Sequence, residues 1–243
     1  MNEEVFRKRF EVHSYDTDTT MQLSFAGLAR YLQDIASFHA DRLGLGYDYL
    51  LTENKAWVLR QLKIATSGRA RWKDTVLIET WPKMPDRLLA WRDFLVFDGQ
   101  GRQIAKATSA WLLIDMKNRR PLRMDPQMFE KYHFRKMDVF EEKPAPLPKT
   151  DPGEKVYETT VRYSRLDMND HVNNAEFTGW VTDAWYMDHP HNSYPGVFEI
   201  QYDHEVFLED RIGIYRNVIS AEEVLYSIIR MKDGKRAGMA RIR

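Results

Sequence analysis

The chain has 243 residues, with 36 Lys and Arg against 36 Asp and Glu, so its formal net charge is zero; 43% of it is apolar and 30% charged. Seven Trp, 12 Tyr and 12 Phe exclude a disordered protein, and the absence of cysteine excludes disulfides, thiolate metal sites and every cysteine-nucleophile mechanism. The neutral balance speaks against nucleic acid as the main partner, and the longest apolar run, the five residues 110–114, cannot span a bilayer. The opening MNEEVFRKRF has no apolar signal core, so the expectation is a cytoplasmic protein.

In chain order, a strand over residues 5–15 leads into a helix of about five turns within residues 21–46. Leu28, Leu32, Ile35 and His39 recur there at helical spacing and Gly44 offers a stop. Strand patterns follow over 56–64, 75–81, 90–97 and 104–115, with Asp98-Gly99 as a tight hairpin turn. Residues 141–154, EEKPAPLPKTDPGE, carry four prolines and a single large apolar residue, so they read as a linker. They divide an N-terminal domain of residues 1–140 from a C-terminal domain of residues 155–243. The second part repeats the plan: a strand over 155–163, a helix near 174–188 stopped by His189-Pro190, strands over 198–206, 212–219 and 225–231, and Asp233-Gly234 as the hairpin signal. Laying Asp18, Thr20, Gln22 and Leu23 on Asp167, Asn169, His171 and Val172 also brings Tyr31 onto Trp180. One helix followed by antiparallel strands, twice over, implies an α+β fold with a curved sheet around a helix in each half.

The segment least like generic core is residues 163–180, YSRLDMNDHVNNAEFTGW. Asp167, Asn169, His171 and Asn173 occupy every second position, and in an extended chain they point to one side while Met168 and Val172 point to the other. A polar loop that caps the next helix explains Asn173, Asn174 and Glu176, which have capping-box spacing. It does not explain a carboxylate, a carboxamide and an imidazole just before a helix N-terminus, where developing negative charge on a carbonyl oxygen is stabilised.

DMNDHVNNAEFTGW resembles the signature of the acyl-acyl carrier protein thioesterases, double hot-dog enzymes known from plant plastids, in which a D-x-N-x-H-V-N-N run precedes the second helix. Trp57-Val58-Leu59, Ile78-Glu79-Thr80-Trp81, the run from Ala107 to Trp111 and Asn118-Arg119-Arg120 are similar to the same family, in the same order. The resemblance implies a double hot-dog fold and hydrolysis of fatty acyl carrier-protein thioesters without a cofactor or metal. It carries the family's catalytic Asp, Asn, His and Glu onto Asp167, Asn169, His171 and Glu205. The Cys that often follows that Glu in plant members is Val206 here, so carboxylates, imidazole and water must do the work. The plant members' plastid-targeting segment is not seen, which fits a bacterial-type cytosolic enzyme.

On this reading Asp167 or Glu205 activates water, or Asp167 attacks directly; His171 polarises the carbonyl or relays a proton, Asn169 orients its neighbours, and the following helix supplies amide donors. Arg69, Arg71 and Lys73, or Lys117, Arg119, Arg120 and Arg123, are candidates to dock an acidic carrier protein, beside the plainer reading of a solvated surface. Trp81, Trp91 and Trp111 are candidates to close an acyl tunnel in the first half, or to be core. His189, His191 and His204 are weighed as a metal site against the plainer reading of surface and helix-end histidines. The alternatives are a coenzyme A thioesterase of the hot-dog superfamily and a non-catalytic acyl-binding protein. No nucleic acid or membrane partner is expected, and the chain is a monomer or a homodimer.

Overall fold

The computed structural model describes residues 4–129, 132–148, 150–190 and 193–243. The first half comprises β1 (Phe6–Glu11), α1 (Phe25–Arg42), α2 (Tyr47–Thr52), β2 (Lys55–Thr66), β3 (Thr75–Pro82), β4 (Leu89–Phe97), β5 (Gln103–Asp115) and the short β6 (Arg120–Pro121). The second comprises β7 (Glu154–Thr160), α3 (Asn174–Tyr186), β8 (Val197–Tyr202), β9 (Arg211–Val218), β10 (Val224–Arg230) and β11 (Lys235–Ile242).

Local chemistry sets the helix ends. The Ser24 hydroxyl accepts the Gly27 amide at 3.0 Å to start α1, and Gly44, at φ +70°, follows its end. A Cβ on Gly27 would stand 2.4 Å from the Asp16 carbonyl oxygen, so only glycine lets α1 approach the turn before it. The stripe Leu28, Leu32, Ile35 and His39 is buried throughout. α1 spans 18 residues, the five turns expected, and ends before the expected stop at Gly44; the short α2 after it was not expected. At α3, Asn173 Oδ1 accepts the Ala175 amide at 2.9 Å, but Glu176 does not reach back to complete the capping box; its carboxylate binds Arg165 at 2.6 Å.

The sheet runs β1-β3-β4-β5-β2-β8-β11-β10-β9-β7, with β6 beside β5. Read outward from the middle, β2-β5-β4-β3-β1 in the first half answers β8-β11-β10-β9-β7 in the second. The halves join at an antiparallel seam in which Gln61, Leu62, Lys63 and Ile64 face Gln201, Ile200, Glu199 and Phe198. α1 and α3 contact each other on one face, where Leu62, Ile64, Phe198 and Ile200 join a single core. This is a double hot-dog fold.

The opposite face is covered by a strap that begins at residue 137 and continues into the proline-rich segment, which is not a free tether. Met137 O accepts the Trp81 indole N–H at 3.2 Å, Asp93 Oδ2 accepts the Val139 amide at 3.1 Å, Ala145 O accepts Gln61 Nε2 at 3.0 Å and Gln201 Oε1 accepts the Leu147 amide at 3.2 Å. The strap therefore bonds to both sides of the seam. Leu147, the one large apolar residue of the proline-rich segment, is buried against Leu225 and Met239. Prolines suit such a strap because they need no backbone donor satisfied.

Candidate active site

The residues before each helix form the same tight turn, not the extended strand their alternation suggested. Asp167 N–H donates to His171 O at 2.7 Å, Asp167 Oδ1 accepts the Asn169 amide at 2.8 Å, and Asp170 turns the chain at φ +59°. In the first half Asp18 N–H donates to Gln22 O at 2.8 Å, Asp18 Oδ1 accepts the Thr20 amide at 2.8 Å, and Met21 stands at φ +61°. Because the segment turns, Met168 is 73% exposed while Val172 is buried, and the two do not share a face.

The expected strand over 198–206 ends at Tyr202, and residues 203–210 leave the sheet as a loop. Val172 N–H donates to Val206 O at 2.9 Å, which places the loop against the turn. Glu205 thereby meets His171, with Nε2 3.6 Å from Oε1, and the imidazole stands edge-on to Phe207 at 5.0 Å between centroids. The other Glu205 oxygen is paired with Arg119, and Glu205 O accepts Arg230 Nη1 at 2.8 Å. Of the four candidate residues, the structure brings His171 and Glu205 into contact. Asp167 shares the turn of His171, with Oδ1 committed to the Asn169 amide, and Asn169 is exposed. Among the described residues, no side-chain hydrogen bond joins either to the pair. Asn173 takes the Ala175 and Glu176 amides, and among the described residues no acceptor meets the Asn174 amide.

The equivalent place in the first half is closed. Leu23 N–H donates to Ala70 O at 2.8 Å as Val172 does to Val206, and Asp74 caps the Arg71 amide as Asp210 caps that of Phe207. This register puts Arg69 where Glu205 stands and Gln22 where His171 stands. Arg69 pairs with Asp18, and Tyr194 from the second half lies over the guanidinium at 3.8 Å while stacking on Phe25 at 4.4 Å. Burial pushes the Asp18 carboxyl up, but hydrogen bonds from Thr20 and Arg69 and the charge of Arg69 outweigh it and hold it below the ordinary range.

A cavity of about 100 Å³ opens between α1 and the first-half sheet, lined by Ala36, Ala40, Trp57, Arg92 and Trp111 among others. Trp91 and Trp111 both line it, and Trp57 joins them. The Trp91 indole N–H donates to Asp86 Oδ2 at 2.9 Å. Trp81 faces the other side of the sheet, packed with Leu95 and Val139. Arg92 is buried at the wall beside His39 Nδ1 at 3.0 Å and Thr80 Oγ1 at 3.2 Å, and burial lowers its pKa to about 10. Trp57 of β2 lines the cavity, and three residues on Arg60 binds Asp203 Oδ1 at 2.7 Å, two residues before Glu205 in the chain.

The model of the acyl-ACP thioesterase N-terminal domain matches residues 3–132, and that of the C-terminal domain matches residues 149–242. The chain belongs to the acyl-ACP thioesterase family. It is 27% identical over 242 residues to the chloroplastic palmitoyl-acyl carrier protein thioesterase of Cuphea hookeriana, covering 93% of this chain and 55% of that protein. It is 29% identical over 196 residues to the chloroplastic oleoyl-acyl carrier protein thioesterase 2 of Arabidopsis thaliana, covering 74% and 53%. The chain thus spans about half the length of the curated relatives it matches. Its fold is that of an acyl-ACP thioesterase from Bacteroides thetaiotaomicron, at TM-score 0.90, 24% identity and 98% and 97% coverage of the two chains. It also matches the 12:0-ACP thioesterase of Umbellularia californica, at TM-score 0.86, 22% identity and 100% and 98% coverage.

Within this family fold, sequence reasoning missed the pairing of Arg119 with Glu205, since it offers Arg119 as a docking residue or as solvated surface. It also missed the replacement of Glu205 by Arg69, which laying Ala70-Arg71 on Val206-Phe207 would have revealed. Arg69 is a paired residue rather than a docking one. Of the histidines weighed for a metal, His191 lies outside the described residues and His189 Nδ1 donates to Trp185 O at 2.7 Å. Among the described residues no three metal-ligating side chains gather, and no helix is long and apolar enough to cross a membrane.

Proposed function

We propose that this chain hydrolyses fatty acyl thioesters of acyl carrier protein, releasing the free fatty acid and the carrier thiol, and that it works in the cytoplasm. The observation that carries the reading is the His171–Glu205 contact at the N-terminal end of α3, on a family fold whose curated relatives are named as carrier-protein thioesterases. In this mechanism Glu205, or Asp167 through its uncommitted oxygen, takes a proton from water. The water oxygen attacks the thioester carbonyl, the Asn174 amide meets the oxyanion, and His171 delivers the proton to the departing thiolate. Asn169 orients the turn. Direct attack by Asp167 is the competing route.

The acyl chain enters the cavity of the first half, which makes residues 1–140 the specificity unit and residues 155–243 the catalytic one. Lys117, Arg120 and Arg123 are exposed around the turn that holds Arg119 and make no ion pair among the described residues, so they suit an acidic carrier. Since the two sheets already join across β2 and β8, the site needs no second chain.

Purified protein should release thiol faster from acyl groups on carrier protein than from the same groups on coenzyme A. A preference for coenzyme A makes it the other kind of hot-dog thioesterase, and no release from either makes it a binding protein. Chain length gives a second expectation. Ala36→Phe or Ala40→Phe fills the cavity, and since a buried methylene is worth about 0.8 kcal/mol, each carbon excluded should lower kcat/KM about fourfold. The preferred substrate should shorten by a few carbons while hydrolysis of short chains is retained. Parallel loss at all lengths, with the preference moving instead on substitution of Phe177, would put the pocket in the second half.

A further inference from the structure

We propose that Arg119, a residue of the first half, is a positioning residue for Glu205, so that each half contributes to the chemistry. This rests on the thioesterase reading of the site. The β5–β6 turn is built to present one side chain: Asp115 Oδ1 accepts the Lys117 and Asn118 amides at 2.8 and 2.9 Å, and Asp115 O accepts the Arg119 amide at 2.8 Å. Arg119 then stands at φ +54°, a left-handed conformation suited to Gly or Asn and disfavoured for an arginine. An asparagine stands one position earlier, yet the strained position carries the guanidinium. Of the four basic side chains at this hairpin, Arg119 is the one that pairs with an acid among the described residues, and the acid is Glu205.

Glu205 needs such a hold. It sits on the loop outside the sheet with its side chain 37% exposed, and Oε1 faces His171 at 3.6 Å. Its carbonyl is fixed from the second half by Arg230, whose own guanidinium is clamped by Asp233 at 2.6 Å. Its Oε2 is fixed by Arg119. Without that pair the carboxylate is free to rotate into water and the His171 contact is lost. The pseudo-symmetric place in the first half is built on the same cross-half principle, with Tyr194 of the second half covering Arg69.

The test is Arg119→Gly, Arg119→Lys and Glu205→Gln, assayed on an acyl carrier-protein thioester and on a carrier-free acyl-pantetheine thioester. Glycine relieves the backbone, so Arg119→Gly should unfold at the same or higher denaturant concentration than wild type. Its kcat should nevertheless fall about 10- to 100-fold on both substrates with KM nearly unchanged. Arg119→Lys should recover part of the loss, and Arg119→Gly added to Glu205→Gln should lower kcat little further. A raised KM confined to the carrier-linked substrate makes Arg119 a docking residue and overturns the proposal, as does normal kcat in Arg119→Gly or a full additional loss on top of Glu205→Gln. A wild-type chain inactive on both substrates overturns the thioesterase reading and this role with it.

Discussion

His171→Ala should lower turnover by about 100-fold or more, while Gln22→Ala, the same place in the first-half turn, should leave it within severalfold. The two turns share backbone hydrogen bonds, the left-handed residue and the helix that follows, so a purely structural role for His171 predicts similar effects from both. The difference lies in the partners. His171 faces a carboxylate, whereas Gln22 lies beside an Arg69–Asp18 pair already sealed by Tyr194. Glu205→Gln keeps the side chain's shape and removes its charge, so it should lose most activity in a protein that still folds. Asp18→Ala is a poor control, because it strands Arg69, whose side chain is 10% exposed. Turnover and urea unfolding measured on the same variants check the assignment; equal losses at His171 and Gln22 would sink it, and a folded, fully active Glu205→Gln would leave Asp167 as the carboxylate candidate.

Glu199→Gln should destabilise the chain by about 3 kcal/mol at neutral pH. Glu199 stands on β8 at the seam, 1% exposed, and its carboxylate binds Arg241 at 2.7 Å, Arg243 at 2.9 Å and Lys63 of β2 at 3.5 Å. It thus ties the first half's seam strand to the C-terminal strand of the second. Burial pushes the Glu199 carboxyl up, but the hydrogen bond and charge of Arg241, with Lys63 and Arg243, outweigh it and hold it below the usual value of 4.5. A depressed folded pKa contributes stability that is present above the unfolded value and lost as pH falls through the folded one. The gap between wild type and Glu199→Gln, read from urea unfolding, should therefore be full at neutral pH and close progressively below 4.5. A gap that stays constant down to strongly acid pH would show that packing, not charge, holds the seam.

Much of the candidate site is legible in the sequence because its signals are local. Asp167, Asn169 and His171 fall within one turn and Asn173 caps the helix that follows, so a short stretch of sequence contains them. The alternation itself misled, since the same residues form a turn in which Asp170 reverses the chain. Glu205 came from the family resemblance alone. Nothing in its own neighbourhood points to a residue 34 positions earlier, and only the end of β8 at Tyr202 and the Val172–Val206 hydrogen bond bring it there.

By itself the sequence determined α1 with its stop at Gly44, α3 with its Asn173 cap, the middle of most strands, the two-fold repeat and the family, because helical period, turn residues and motif spacing act over a few residues; it did not mark β11 or the early end of β8. Tertiary structure alone decided that Trp111 lines the cavity while Trp81 faces the strap, since a strand's buried face is set by register with its neighbours and one residue of slip exchanges the faces. It likewise decided that the proline-rich segment covers the seam and that Arg119 meets Glu205 across 86 residues. Such contacts depend on which strands pair and how the two halves join, and no local preference of the chain encodes a distance between residues so far apart.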